Sequence, residues 1–160
     1  MKIVGLITEY NPFHNGHLYH IQKAKEISGA DAAVVVMSGN YVQRGAPAIM
    51  PKHLRAEVAL EAGVPVVMEL PVCYASGSAE YFAAGAISLF EQLGCIDSIC
   101  FGSECGDYKV LERIARVTAD EPEEYKFSLQ EALRKGISFP RARQMALKAY
   151  LKDDSLDVIL

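Results

Sequence analysis

A short polar segment with two histidines follows the first apolar stretch of the chain. Residues 2–8 are rich in isoleucine and valine, and the segment Asn11-Pro-Phe-His-Asn-Gly-His17 comes shortly after them. His14 and His17 are three residues apart, which places both imidazoles on one side of a first helical turn. A helix N-terminus presents free N–H groups and the positive end of its dipole to an anion. The pattern predicts a phosphate site in which the imidazoles stabilise charge on a departing pyrophosphate.

Neighbouring residues strengthen this prediction but also fit a simpler one. Gly16 would let the backbone approach a phosphate closely, and Pro12 stiffens the turn. His20 follows His17 by three residues and would extend the cluster. The second interpretation is a turn that caps the helix and carries two surface histidines. The spacing alone leaves both interpretations open.

The elements that must position this segment alternate between strand-like and helix-like patterns. Each buried strand is a short apolar run, and each helix shows apolar residues on one face. The strands are predicted at 2–8, 32–37, 65–70 and 98–101, and the helices at 16–28, 52–62, 78–93 and 107–118. Repeated strand–loop–helix units predict a parallel sheet with right-handed crossovers.

The predicted fold class is therefore α/β, a Rossmann-like parallel sheet of about five strands with a C-terminal helical extension. Two further helices are predicted at 123–135 and 141–152, and the apolar residues 156–160 suggest a short strand. We expect a nucleotide-binding domain over 1–120 and the helical extension over 121–160, as the start of a longer C-terminal region.

Three polar, glycine-bearing loops leave predicted strand ends, at 9–17, 38–51 and 102–107. Parallel sheets bind ligands at the carboxyl ends of their strands, so these loops are expected to converge on one edge. The second loop and the helix after it supply polar side chains that could contact a substrate carboxylate or phosphate. These candidate substrate-binding residues are Ser38, Asn40, Arg44, Lys52 and Arg55.

Composition excludes several classes of protein. The 160 residues are 51% hydrophobic and 22% charged, which is ordinary for a globular protein of one-domain size. The net charge of −4 gives the whole molecule no general affinity for DNA, although residues 134–152 are locally basic. The four cysteines have no zinc-site spacing, and no apolar run reaches the length of a membrane helix. We expect reduced thiols, no membrane partner and a cytoplasmic location.

The segment His14-Asn-Gly-His17 resembles the HxGH signature of the nucleotidyltransferase superfamily, and its position between a first strand and a first helix fits. Further segments resemble one family within it, the tRNA(Met) cytidine acetate ligases. Beyond the segment that runs from Glu9 to His17, the similar segments are Met37-Ser-Gly-Asn-Tyr-Val-Gln-Arg-Gly45, Lys52-His-Leu-Arg-Ala56, Glu69-Leu-Pro-Val-Cys-Tyr-Ala75, Ser78-Ala-Glu-Tyr-Phe-Ala83 and Phe101-Gly-Ser-Glu-Cys-Gly-Asp107.

The resemblance implies an enzyme that activates acetate with ATP, which Mg2+ would accompany, and then acetylates N4 of the wobble cytidine of elongator tRNA(Met). His14 and His17 would be catalytic, with no residue acting as a metal ligand or covalent nucleophile. The residues expected to bind ATP are Ile7, Thr8, Glu9, Tyr10, Asn11, Pro12, Phe13, His14, Asn15, Gly16, His17, Leu18, His20, Gly102 and Ser103.

The family is longer than this chain, by roughly a factor of two or more, and its later part carries an Asn-Asn-Ile-Leu-Gly-like segment that also contacts ATP. We therefore expect this chain to be the N-terminal part of such a protein. Two alternatives remain open at this point. One is a small-molecule adenylyltransferase of the phosphopantetheine or nicotinamide-mononucleotide type, and the other is a nucleotide-binding fragment that is catalytically incomplete. The resemblance also implies that the basic residues 141–152 contact RNA.

Overall fold

The computed structural model describes residues 1–103 and 105–153. Within them, four parallel strands form one sheet in the order β3-β2-β1-β4. The strands are β1 (Ile3–Thr8), β2 (Ala32–Ser38), β3 (Val66–Leu70) and β4 (Ser98–Cys100). The chain moves outward from β1 to β3 and then returns to place β4 on the other side of β1. The strand order therefore reverses beside β1, which is where such sheets bind ligands.

Seven helices accompany these strands in the described part of the chain. Their bounds are α1 (Asn15–Ser28), α2 (Lys52–Glu61), α3 (Val72–Ala75), α4 (Ala79–Leu93), α5 (Tyr108–Asp120), α6 (Glu123–Arg134) and α7 (Phe139–Leu151). A single 3-10 turn, Gln43–Gly45, lies in the long connection between β2 and α2. Among the described residues, none of the helices combines the length and the apolar character needed to cross a membrane.

The strand side chains alternate between two hydrophobic layers, as the period of two in a strand requires. On one face, Val4 and Leu6 of β1 pack with α1 and α2. On the other face, Ile3 of β1 and Val36 of β2 pack with α3 and α4, where Phe90 is buried. Both faces of β1 are therefore covered by helices, which fixes the position at which its carboxyl end leaves the sheet.

The chain divides into two compact units, and the division falls after Phe101. The first unit contains the sheet with α1 to α4. The second unit begins at Gly102 and contains α5, α6 and α7 around a small core of its own, with Ile114, Tyr125 and Leu147 buried. The expected boundary at residue 120 lies inside this second unit, since α5 groups with the helices that follow it.

The α/β class, the parallel sheet and the C-terminal helices are confirmed, while the number of strands differs from the prediction. Four strands are present in the described residues rather than about five. The predicted strand at 156–160 lies outside the described residues. Sequence patterns also missed α3, a single turn that follows Pro71 and lies between the strand predicted at 65–70 and the helix predicted at 78–93. One turn is too short to show a helical period.

Candidate functional site

A cleft of about 460 Å³ opens at the carboxyl end of β1. It is built mainly from the segment that joins β1 to α1, as the sequence predicted. The expected nucleotide-binding residues that line it are Ile7, Thr8, Glu9, Tyr10, Asn11, Pro12, His14, His17 and His20. Gln43 and Phe82 line it as well, from the loop after β2 and from α4.

His14 and His17 cap helix α1 for each other. His14 is the N-cap residue, and its Nδ1 accepts a hydrogen bond from the Gly16 N–H at 3.1 Å. The Nδ1 of His17 accepts from the His14 N–H at 3.3 Å. The two rings stack with centroids 3.7 Å apart. The capping turn, one of the two alternatives that the sequence left open, is therefore present, and it is formed by the two histidines that were predicted to bind phosphate.

The reciprocal cap determines which ring atoms can contact a ligand. An imidazole that accepts at Nδ1 carries its proton at Nε2 in the neutral state, so each ring offers one Nε2–H donor. The Gly16 N–H is used by His14, and the His17 N–H bonds to the His14 carbonyl at 2.9 Å. The helix therefore offers fewer free N–H groups to an anion than the sequence suggested. The imidazole donors must carry more of the contact.

Gly16 has a different role from the one expected. A Cβ at this position would lie 2.9 Å from Cε1 of the His14 ring, which is closer than packed atoms allow. The absence of a side chain lets the His14 imidazole fold back over the first turn of α1. Gly16 thus accommodates the His14 imidazole, and a close approach of a phosphate at this position stays a prediction.

The rings of Tyr10 and Phe13 form an aromatic cluster that packs against His17 of the histidine pair. Tyr10 is 1% exposed, and its ring centroid lies 4.9 Å from those of Phe13 and His17. Burial raises the pKa of Tyr10 to about 12, with a partial opposing effect of the Thr8 hydroxyl. Tyr10 also has a positive φ of 48°, a strained conformation for a residue other than glycine. The packing of its ring keeps the backbone in that conformation.

His17 and His20, which are both partly buried, favour the neutral state. Burial lowers the pKa of His17, and the neighbouring His14 and His20 lower it further. Burial also lowers the pKa of His20. The Nε2 of His20 is buried without a hydrogen-bond partner among the described residues. A buried polar atom of this kind is normally satisfied by a bound group or by water, which marks this side of the cleft as a place for a polar ligand.

The loop after β2 is hydrogen-bonded to the segment between β1 and α1 by two side chains that were expected to bind nucleotide. The Glu9 carboxylate accepts from the Gln43 N–H at 2.7 Å. The Asn11 side-chain oxygen accepts from the Ile49 N–H at 2.8 Å. Two of the three loops that were predicted to converge therefore do so, and these two side chains hold them together.

Arg55 makes a third connection between the same segments. Its side chain is fully buried, and it is the only charged residue in the core of the described chain. Nη1 donates to the Glu9 carbonyl, Nη2 to the Gly39 carbonyl, and Nε to the Met50 carbonyl at 3.2 Å. Burial lowers the pKa of Arg55, while the Glu9 and Glu69 carboxylates oppose that effect. Arg55 was expected to contact substrate, but this placement favours a positioning role.

The other expected substrate-binding residues are scattered. Ser38 is fully buried, and its hydroxyl has no partner among the described residues. Lys52 pairs with Glu69 at 2.6 Å beside a smaller cavity of about 180 Å³ that Ser38 also lines. Asn40 and Arg44 are exposed on the loop after β2. Among these residues, the structure places none in the lining of the larger cleft.

Six expected nucleotide-binding residues do not line the cleft. Phe13 packs beneath it, and Asn15, Gly16 and Leu18 form the first turn of α1. Gly102 and Ser103 are exposed and belong to the second unit, so their part in nucleotide binding stays a prediction. Gln43 was missed as a single residue, although it lies in a loop predicted to face the site. Nothing in the sequence distinguishes Phe82 from the other apolar residues of α4.

Comparison with known families agrees with this geometry. The sequence model for the family described as HIGH Nucleotidyl Transferase matches residues 1–159. The chain belongs to this nucleotidyltransferase family. Its strand–histidine segment–helix arrangement at the carboxyl end of β1 is the part that carries the HxGH signature.

Individual relatives confirm the closer resemblance. The tRNA(Met) cytidine acetate ligase of Acetivibrio thermocellus is 57% identical over 94% of this chain, and that of Clostridium novyi is 52% identical over 96%. A crystal structure of Thermotoga maritima TmcAL bound with α-thio ATP superposes with a TM-score of 0.88, at 49% identity over 95% of this chain. The chain spans 36% to 38% of the length of these three proteins.

The lowered pKa values of His17 and His20 predict how stability depends on pH. The folded state binds protons at these two imidazoles less tightly than the unfolded state does. Protonation therefore costs no stability above about pH 6.5, the ordinary pKa of histidine, where both rings are neutral in either state. As the pH falls below that value, the unfolded state takes up protons first, and the folded state loses stability until the pH reaches the lowered pKa values of the folded protein. We expect the free energy of unfolding to decrease between pH 7.5 and 5, measured by urea titration. NMR titration should give pKa values below 6.5 for both rings.

A matched variant isolates His17 in this titration. In His17→Gln, the amide oxygen can still accept from the His14 N–H, as glutamine does in many capping boxes, but the side chain does not titrate. The decrease in stability towards pH 5 should therefore be shallower than in the wild type. An unchanged slope would show that His17 protonation does not oppose folding.

Removing the Arg55 guanidinium should destabilise the first unit strongly. Arg55→Met removes the guanidinium donor from the buried carbonyl of Gly39 and from the partly buried carbonyls of Glu9 and Met50. We expect the free energy of unfolding to fall by about 3 kcal/mol or more. Arg44→Met is the control, because Arg44 is exposed on the neighbouring loop, and its effect should stay within about 0.5 kcal/mol. Equal effects of the two substitutions in chemical denaturation would contradict a special role for Arg55.

Proposed function

We propose that this chain forms the ATP-binding part of a cytoplasmic tRNA(Met) cytidine acetate ligase. In this reaction ATP activates acetate as acetyl-adenylate, and the acetyl group is transferred to N4 of the wobble cytidine of elongator tRNA(Met). The observation that carries the proposal is the stacked, reciprocally capped pair of His14 and His17 at the start of α1. The relatives of that name and the Thermotoga maritima TmcAL structure bound with α-thio ATP support it.

The histidine pair suits a reaction in which negative charge develops on a leaving group. An acetate oxygen attacks the α-phosphorus, and the bond between that phosphorus and the bridging oxygen breaks as pyrophosphate leaves with the electron pair. Two Nε2–H donors, fixed by the cap of α1, can bind the departing oxygens together with the positive end of the helix dipole. No covalent bond to the protein is needed. The cytidine amine then attacks the acetyl carbonyl, AMP leaves, and the amine proton passes to solvent.

The residues of the cleft fit Mg2+ that arrives with ATP better than a resident metal ion. The described residues contain no group of three or more side chains suited to hold a metal. Glu9 is the only acidic residue among those that line the cleft. Mg2+ at nucleotide sites takes most of its ligands from phosphates and water, with one or two carboxylates. When bound, it would neutralise charge on the phosphates.

ATP–pyrophosphate exchange tests the proposed reaction directly. Exchange that depends on acetate is expected, because formation of acetyl-adenylate is reversible while pyrophosphate is present. Exchange stimulated by pantetheine phosphate or by a nucleotide monophosphate, and not by acetate, would instead identify a small-molecule adenylyltransferase. ATP binding in calorimetry without any exchange would identify a nucleotide-binding module that is catalytically incomplete.

Substitution of His17 should affect the rate far more than the fold. His17→Ala removes one donor to the leaving group, and we expect acetate-dependent exchange to fall roughly 100-fold. The lost cap should cost only about 1 kcal/mol of stability. Gln22→Ala, on the exposed side of the same helix, is the control and should keep the wild-type rate. Wild-type exchange in His17→Ala would leave the histidine pair with a capping role alone.

A further inference from the structure

The cleft at the end of β1 has two walls of different chemistry. His14 and His17 lie at the start of α1, which packs on the face of the sheet that also carries Leu6. Ile7 belongs to the opposite hydrophobic layer, together with Phe82 of α4. Because successive strand residues point to opposite faces, the end of β1 separates an imidazole wall from an apolar wall. We define the apolar wall as Ile7 and Phe82.

Phe82 is held rigidly in the apolar wall. Its ring packs in the same layer as Val36 and Leu70, and only 7% of the residue is exposed. Its backbone N–H donates to the carbonyl of Ser78, the N-cap residue of α4, at 2.9 Å. A ring fixed by close core packing cannot move aside without disturbing its neighbours. Phe82 therefore sets a firm limit to the space in the cleft.

The loop after β2 is joined to the approach to α4. The Arg44 N–H donates to the Gly77 carbonyl at 3.1 Å. The preceding residue, Gln43, lines the cleft, and its N–H donates to the Glu9 carboxylate at 2.7 Å. These hydrogen bonds link the loop both to the helix that carries Phe82 and to the segment after β1. The apolar wall thus faces a cleft whose surrounding segments are already fixed.

The geometry of in-line displacement assigns a reactant to each wall. The attacking and leaving oxygens lie on opposite sides of the phosphorus. In the proposed function, pyrophosphate leaves towards His14 and His17, so the carboxylic acid must approach from the side away from them. Its oxygen forms the new bond to the α-phosphorus while the bond to the bridging oxygen breaks. The alkyl part of the acid then lies against Ile7 and Phe82.

We propose that the apolar wall, through Phe82, determines which carboxylic acids the site accepts by limiting the length of the alkyl chain. This proposal rests on the proposed function, which supplies the acyl-adenylate chemistry. A methyl group fits against a fixed ring, whereas a longer chain must displace the ring or move the carboxylate away from the phosphorus. In apolar pockets, a difference of one methylene changes kcat/KM by about 10- to 200-fold.

ATP–pyrophosphate exchange with acetate, propionate and butyrate tests the role of Phe82. We expect the wild type to favour acetate, and Phe82→Ala to raise kcat/KM for butyrate relative to acetate by about 10-fold or more. Phe82→Leu, which disturbs the core less, should shift this ratio in the same direction. Phe90→Leu is the matched control, because Phe90 is a buried phenylalanine of the same helix that does not line the cleft. It should keep the wild-type ratio.

Two results of the exchange assay would overturn the proposal. One is a ratio of butyrate to acetate that is the same in the wild type and in both Phe82 variants. The other is a raised KM for ATP with unchanged preference among the acids, which would assign the apolar wall to the nucleotide base.

Binding of butyrate separates this proposal from the proposed function. NMR titration in the presence of an ATP analogue with a methylene bridge between the α- and β-phosphates gives the dissociation constant without turnover. Phe82→Leu should bind butyrate about 10-fold more tightly than the wild type does, and Phe90→Leu should match the wild type. This pattern without acetate-dependent exchange would sink the proposed function alone. Equal butyrate affinity in the wild type and Phe82→Leu would sink the role of Phe82, even where exchange depends on acetate.

Discussion

The candidate site depends on a buried cation that donates its hydrogen bonds to backbone carbonyls. Arg55 joins the segment after β1, the segment after β2 and the approach to its own helix, through Glu9, Gly39 and Met50. A planar guanidinium can serve three acceptors that lie in different directions, which a lysine ammonium does less well. The hydrogen bond to the Gly39 carbonyl is buried and those to Glu9 and Met50 are partly buried, so water can replace this donor only incompletely. The two loops are therefore fixed relative to each other before any ligand binds.

The histidine pair shows how one arrangement can meet two requirements. The start of α1 needs acceptors for its N–H groups, and a leaving phosphate needs donors. Each imidazole supplies an acceptor on one edge and a donor on the other. The stack of His14 on His17, and the contact of His17 with Tyr10, orient these edges. Burial keeps His17 neutral, so protonation does not disrupt the arrangement near neutral pH.

The sequence predicts the parts of this structure that depend on neighbouring residues. The apolar run of β1, the polar segment and the helical spacing of α1 are all local patterns, and the structure contains each of them. The role of Arg55 could not be predicted in the same way. Its position in the first turn of α2 resembles that of a solvated cation, and its acceptors Glu9 and Gly39 are 46 and 16 residues away. The periodicity of apolar residues along the chain does not predict where carbonyl groups distant in sequence will lie.

The reciprocal cap of α1 also restricts which amino acids could occupy positions 14 and 17. A lysine or arginine has donors only, and an ionised aspartate or glutamate has acceptors only, so neither type can cap the helix and bind an anion at once. Asparagine and glutamine offer both kinds of atom, but on a single amide whose oxygen and nitrogen lie side by side. Imidazole alone separates the two functions across a rigid ring. The residue type at these positions is thus constrained by geometry as much as by chemistry, and an increase in positive charge would not improve the site.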